Sequence, residues 1–376
     1  MADIVNVLRK YLFQLFALIL GVSLTIPSFA DSSSPLEPPF DVIERQAEMG
    51  QPGRAFVCPA IPPAIISTKG QFYYTDKKGS IIDPKLLAKG NQLEAPIKTY
   101  TRRLGEIANA YIKSSPADAE ITDCAWGWLQ AWAQQGALTG QMDDQSELYR
   151  MWALTPIATS FLIAKGSHEP VPANIDINRI RSWIGVLSDK VLAWVARKKV
   201  HNNLSYWAAS GVILASVVDQ RRDYFDAAIA LGERGVDNIN AEGFLPGEMH
   251  RGHRAFEYHV FAMTPLSIVA ETASKNGVDL FEHNNQGLRR LAERLLASKD
   301  DMSFFDQAAG VMQEIRPPLG AGQWIWAEII LDHYDMPDLE ALVAPLRPLR
   351  FDRAGGDMTL LYGNLKRSFG PSRARN

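Results

Sequence analysis

Two short segments of this chain carry side chains suited to the chemistry of a carboxylate. One reads Asn202-Asn203-Leu204-Ser205-Tyr206-Trp207, the other Arg251-Gly252-His253-Arg254-Ala255-Phe256-Glu257-Tyr258-His259. Asn203 offers an amide donor and Arg251 a permanent cation, a pair able to hold a carboxylate and to stabilise the second negative charge that forms when the neighbouring carbon loses its proton. Tyr258 could move that proton. A free phenol has a pKa near 10, so it needs a nearby cation such as Arg251 or Arg254 to act as a base. Taken singly, each residue has a plain structural use: Asn as a helix cap, Arg in a surface ion pair, Tyr as half-buried core.

The same groups suit β-elimination on a uronate polymer, in which the C5 proton next to the carboxylate leaves and the bond from C4 to the glycosidic oxygen breaks. If the proton and the leaving oxygen share one face, one phenol can take the first and protonate the second. Asn202, Tyr206, Trp207, Arg254, His253 and Lys77 are candidate contacts to sugar rings and carboxylates. A zinc reading of His250, His253 and His259 is disfavoured, because their spacing is not diagnostic and two arginines lie beside them; no metal or cofactor is expected. A glycosidase would need two facing carboxylates, for which Glu248 and Glu328 are available.

These positions must be held by helices. Ile97, Tyr100, Leu104, Ile107 and Tyr111 recur at spacings of three and four, as do Ile177, Ile180, Ile184, Leu187, Val191 and Trp194 behind a capping Asp176. Further helices are expected over 117–135, 145–164, 204–218, 223–240, 256–275, 285–297 and 322–334. Several are apolar on more than one face, which suits an inner ring of helices packed inside an outer one. Trp126, Trp128 and Trp132 are expected in the core. Prolines 35, 38, 39, 59, 62 and 63 make residues 31–95 irregular, with Tyr73, Tyr74, Lys77 and Lys78 in a possible lid loop.

The 376 residues begin with a targeting pattern over 1–30: Arg9 and Lys10, an apolar run from Tyr11 to Ile26, then Ser28-Phe29-Ala30. The run is short for a membrane span, so a cleaved signal, export to the periplasm and no stable span afterwards are expected. Of 39 basic and 42 acidic residues, that segment takes Arg9, Lys10 and Asp3, leaving a net charge near −4. Nucleic acid is thereby disfavoured as a partner, whereas a polyanion could enter a locally basic cleft. Cys58 and Cys124 suit one disulfide in an oxidising compartment.

In wording and order the chain resembles the alginate lyases of the α/α-toroid type, the poly(β-D-mannuronate) lyases. The resemblance rests on the two segments above, on Arg221-Arg222-Asp223 with Phe225-Asp226, Gly243-Phe244-Leu245-Pro246, Asn276-Gly277-Val278-Asp279-Leu280 and Gly355-Gly356-Asp357-Met358-Thr359. It implies an all-α fold, an incomplete (α/α) toroid over residues 96–364 with an irregular N-terminal lid and a tail at 365–376. The family's Asn, His, Arg and Tyr fall on Asn203, Leu204, Arg251 and Tyr258, so a leucine stands where the family has histidine. Three readings follow: elimination through Tyr258 alone, substitution by His201 or His253, or binding of a polyuronate without cleavage, for instance within an exopolysaccharide secretion complex.

Overall fold

A computed structural model describes residues 34–364 apart from 53–55 and 116. The targeting segment 1–30 and the tail 365–376 lie outside the described residues. The described residues build the helices α1 Val42–Met49, α2 Pro84–Ile112, α3 Ala119–Gln134, α4 Asp144–Gly166, α5 Ile177–Lys198, α6 Asn203–Asp219, α7 Arg222–Asp237, the single turn α8 Pro246–Met249, α9 Ala255–Lys275 and α10 His283–Ala297. Shorter helices follow at Ser303–Ala309, Ala327–His333, Pro337–Val343 and Met358–Tyr362. Two-residue strands β1 (Gln51–Pro52) and β2 (Ser114–Ser115) pair in parallel, β3 (Arg350–Phe351) and β4 (Gly356–Asp357) antiparallel.

Helices α2, α4, α6 and α9 pack one against the next as an inner ring, while α3, α5, α7 and α10 lean on them from outside. Sequence pattern separates the two layers. Fifteen of the 17 residues of α6 are buried, including Ser210 and Ser216, whose hydroxyls return to carbonyls of their own helix. α7 instead buries a stripe through Tyr224, Phe225, Ala228, Ile229, Leu231 and Val236 and leaves its charges outside. Gly235 lets α7 approach α6 and α9: a Cβ there would sit 2.5 Å from Leu266 and 2.8 Å from the Tyr206 ring. Alanine at that position is expected to cost about 1–3 kcal/mol through overpacking.

Helix starts follow capping chemistry. Asp83 accepts from the N–H groups of Lys85 and Leu86 ahead of Pro84, and Asp143 from that of Ser146. Asp176 caps α5 through Arg179, and Asn202 caps α6 through Leu204. The long helices therefore begin at Pro84, earlier than residue 96, with Pro96 inside α2, and the short α1 interrupts the irregular run expected over 31–95. Expectation and structure also part at 322–334, where only Ala327–His333 is α-helical after a tight turn at Ala321–Gln323. In α10, Asn284, Asn285 and Gln286 are left-handed, and regular helix begins after them.

Apart from α1 (Val42–Met49), capped by Asp41, the proline-rich segment lacks helix but has fixed partners. Trp128 and Trp132 donate from Nε1 to the carbonyls of Pro59 and Pro62, both at 3.1 Å, and Leu138 and Gly140 donate to Ile65 and Ile66. Cys58 and Cys124 are joined, with Cα atoms 5.7 Å apart. The three tryptophans of α3 are fully buried, and Tyr100 stacks on Trp132 with ring centroids 3.4 Å apart. The segment so anchored delivers residues 72–82 to one end of the inner ring. There the loop closes on Asp76, whose carboxylate accepts from Ile81 N–H, Ser80 N–H and Ser80 Oγ. Those bonds, led by Ile81 N–H, hold the Asp76 carboxyl down at about 2.

Candidate active site

A cleft of about 450 Å³ opens between this loop and the ends of the inner helices, a size that suits a small-molecule or oligosaccharide site. The loop contributes Tyr74 and Lys77, α4 gives Trp152, α6 gives Asn203 and Leu204, the turn leading into α9 supplies Arg251 and Arg254, and α9 itself Tyr258. Two segments distant in sequence thus meet because α6 and α9 are neighbours in the inner ring.

Tyr258 lies in the first turn of α9. Its hydroxyl is hydrogen-bonded to the hydroxyl of Tyr74. Arg254 Nη1 donates to that same Tyr74 oxygen at 2.9 Å, while its Nε and Nη2 hold Glu257 at 2.9 and 2.7 Å. Either phenol can donate in the Tyr74–Tyr258 bond, but once Tyr258 is a phenolate Tyr74 must be the donor, so the two phenols and the guanidinium then form a polarised chain. The Arg251 guanidinium stands 4.2 Å from the Tyr258 ring centroid, and Arg254 5.4 Å. Burial raises the Tyr258 pKa above the ordinary phenol value, while Arg251, the Tyr74 hydrogen bond and Arg254 pull it back. Burial also pushes Tyr74 up, to about 12.

Arg251 Nη1 donates to the carbonyls of Lys78 and Gly79 at 3.2 and 3.3 Å, so the loop touches both the cation and the phenol. Gly79 adopts φ +65°, and a Cβ there would lie 2.2 Å from Arg251 Nη1; both facts require glycine. Asn203 is buried at the start of α6. Its backbone N–H and its Nδ2 donate to the Glu248 carboxylate, at 2.6 and 3.0 Å to Oε1 and 3.0 Å to Oε2. Its Oδ1 is buried without a partner. Leu204 lines the cleft next to it and brings only hydrocarbon.

Other candidates sit elsewhere. Tyr206 and Trp207 are 2% and 0% exposed, so they cannot stack on sugar rings. Trp207 packs on Phe261 and Phe351 beneath the cleft, at 5.0 and 5.8 Å between centroids. Tyr206 is wedged against Gly235. The reason is the complete enclosure of α6 by its neighbours. His201 precedes the Asn202 cap, outside the helix, and lines a separate hollow with Tyr206, Arg234 and Asn238, so it does not stand in for a histidine at Leu204. Asn202 is spent as the cap, and His253 is absent from the cleft wall, its carbonyl accepting from Glu314 N–H.

His259 is wholly buried: its Nε2 accepts from Leu245 N–H, its Nδ1 faces the Ala255 carbonyl, and burial lowers its pKa to about 4. Both nitrogens being used, it is no ligand for a metal. Glu328 is bound by Arg347 and Thr359 and does not face Glu248 across the cleft, which removes the glycosidase pair. The sequence reading overlooked Arg353, whose guanidinium lies 3.7 Å from the Trp152 ring centroid and which Glu94 pairs at 3.0 Å. No periodicity marks it; only the packing of the turn Asp352–Ala354 on α4 brings it to the cleft.

Comparison with known proteins agrees with this geometry. A sequence model of the family described as "Alginate lyase" matches residues 70–305. A "Polysaccharide lyase" of Stenotrophomonas maltophilia is 33% identical over 313 residues, 81% of this chain and 90% of that protein. An "Alginate lyase" of Pseudomonas aeruginosa is 31% identical over 322 residues, 82% of this chain and 86% of the other. Among solved structures, a variant of alginate lyase A1-III complexed with a tetrasaccharide superimposes with a TM-score of 0.71 at 21% identity, covering 88% of this chain and 97% of that one. The crystal structure of alginate lyase A1-III from Sphingomonas species A1 gives a TM-score of 0.68 at 20% identity, over 88% and 98%. The fold is therefore an α/α toroid, and the chain belongs to the alginate lyase family of polysaccharide lyases.

Proposed function

We propose that this chain cleaves a mannuronate-rich polyuronate by β-elimination, with Tyr258 as both base and acid. The observation that carries this reading is the Tyr258 hydroxyl, facing the cleft in hydrogen-bond contact with Tyr74 and with Arg251 against its ring. Leu204 lies in the same cleft and can neither take nor give a proton. Proton transfer is thereby confined to the phenol side, which favours sugars whose C5 hydrogen and C4 oxygen share one face, as in mannuronate.

In this scheme the substrate carboxylate displaces the loop carbonyls from Arg251 and shares the Asn203 Nδ2 donor with Glu248. Both donors strengthen as the aci-carboxylate forms. Tyr258, as phenolate, removes the C5 proton; the C4–O bond breaks; and the new phenol O–H protonates the leaving oxygen, restoring the starting charge. The cations Lys77, Arg251, Arg254 and Arg353 give the cleft the positive field that the chain as a whole, at net charge −3, lacks. The N-terminal pattern of residues 1–30 supports export to the periplasm, and a disulfide suits that compartment.

Leu204 favours a second reading, a polyuronate-binding protein that turns over slowly or not at all. Leu204→His decides between them. Incubation with poly-mannuronate, read by the ultraviolet absorbance of the 4,5-unsaturated product, is expected to show wild-type turnover and about a 3- to 30-fold gain in the variant, from one added donor beside Asn203. Absence of product from both proteins, with the polymer still bound, would support the binding role instead.

A further inference from the structure

Glu248 is one of the least exposed acidic side chains in the described chain, and the scheme above gives it no task. Its carboxylate lies under the first turn of α6, where helix N–H groups have no intrahelical acceptor and an anion is favoured. It accepts three bonds from Asn203, one from the backbone N–H at 2.6 Å and two from Nδ2, one to each oxygen, at 3.0 Å. Arg251 Nε stands 4.0 Å from its other oxygen, and the Glu248 backbone carbonyl accepts the Arg251 N–H at 3.0 Å. One residue on the single turn α8 thus touches both groups assigned to the substrate carboxylate.

The Asn203 amide has an oxygen and a nitrogen that could exchange places by a half-turn. Burial raises the Glu248 pKa, while the Asn203 bonds and Arg251 pull it back toward the ionised form, and against that form only the nitrogen can face Glu248, since two oxygens would repel. The orientation carries a cost that shows: Asn203 Oδ1 is left buried and unpartnered. That an orphaned acceptor persists means the Glu248 bonds hold the amide in this sense.

We propose that Glu248 is a positioning residue that sets which way the Asn203 amide faces and holds Arg251 beside it, so that both converge on one uronate carboxylate. This rests on the reading of Asn203 and Arg251 as the carboxylate-holding pair. Glutamine is the telling replacement. Its carbonyl still accepts from the Asn203 backbone N–H, but its amide nitrogen meets Asn203 Nδ2, donor against donor, and forces the Asn203 amide to turn.

The test is a double-mutant cycle of Glu248→Gln and Asn203→Ala, read by the Kd of a mannuronate tetrasaccharide in calorimetry and by kcat and KM on poly-mannuronate. Each single variant is expected to weaken binding by ~10-fold, and the double variant by no more than the stronger single, because Glu248 acts through Asn203. A residue that only stabilised the fold would give additive losses, or a lower Tm with unchanged Kd. Glu248→Asp keeps the charge but withdraws the oxygens by one methylene; it is expected to couple to Asn203→Ala in the same way and carries the test if the glutamine variant does not fold. Wild-type affinity in Glu248→Gln and Glu248→Asp, or additive losses in the cycle, would overturn the proposal while leaving the role of Asn203 intact. An Asn203→Ala protein with unchanged Kd and unchanged turnover would instead remove the carboxylate-holding pair itself, and this proposal with it.

Discussion

Replacing Tyr74 by phenylalanine removes the hydrogen bond that links the loop to the proposed proton carrier. The ring stays packed, with Tyr73 and Phe72 centroids at 4.6 and 5.6 Å, and Arg254 keeps both of its bonds to Glu257. The O–H shared with Tyr258 disappears, and with it the oxygen that accepts from Arg254 Nη1. Arg251, the Tyr74 hydrogen bond and Arg254 are what lower the Tyr258 pKa against the rise caused by burial. A hydrogen bond to an ionised group contributes about 1.5–3 kcal/mol, and each pKa unit is about 1.4 kcal/mol, so the variant's phenol should titrate about 1–2 units higher. Because the base is the deprotonated form, a higher pKa means less phenolate at any pH below it. Turnover near neutral pH should therefore fall by about 10- to 100-fold, and the rising limb of kcat/KM against pH should move to more alkaline values by the same 1–2 units. Steady-state rates across the alkaline range, with Tm as a control, measure this. A Tyr74→Phe profile that overlays the wild type would refute the link between the two phenols.

Gly79→Ala should push the Arg251 guanidinium away from both loop carbonyls, since the new Cβ would meet Nη1 at 2.2 Å from a backbone at φ +65°. About 1 kcal/mol of stability and at least a 10-fold drop in kcat/KM are expected, seen by urea denaturation and product formation; full turnover would show that closure over Arg251 is unimportant. The Cys58→Ser, Cys124→Ser protein should lose up to about 4 kcal/mol of unfolding free energy, given the 66-residue separation of the bridge, and equal denaturation midpoints with and without the bridge would contradict this.

Much of the architecture can be read from local pattern. The stripe from Ile177 to Trp194 behind Asp176 became α5, and residues apolar all round became α6. Pro96 misled because a proline is a boundary in most helices, yet α2 tolerates it while starting from a good Asp83-Pro84 cap. Arg251, Arg254 and Tyr258 are close in sequence and face one cleft, so their types alone suggested a site. Trp207 beside two polar amides looked accessible, and only the helices around α6 show that it is not. Arg353 and Trp152 meet across two hundred residues, a contact no local pattern encodes. The space beside Leu204 was likewise invisible: His201 is three residues away in sequence but lies before the helix begins.

The most direct measurement is the Tyr258→Phe variant on poly-mannuronate, followed by product absorbance beside a binding titration. The phenyl ring keeps its packing against Phe261 and its place under Arg251, so affinity and Tm should stay near wild type. Loss of the unsaturated product by at least ~1,000-fold is expected, because the same oxygen is needed to take the C5 proton and to return it to the leaving group. Substantial elimination by this variant would contradict the assignment of Tyr258 as base and acid.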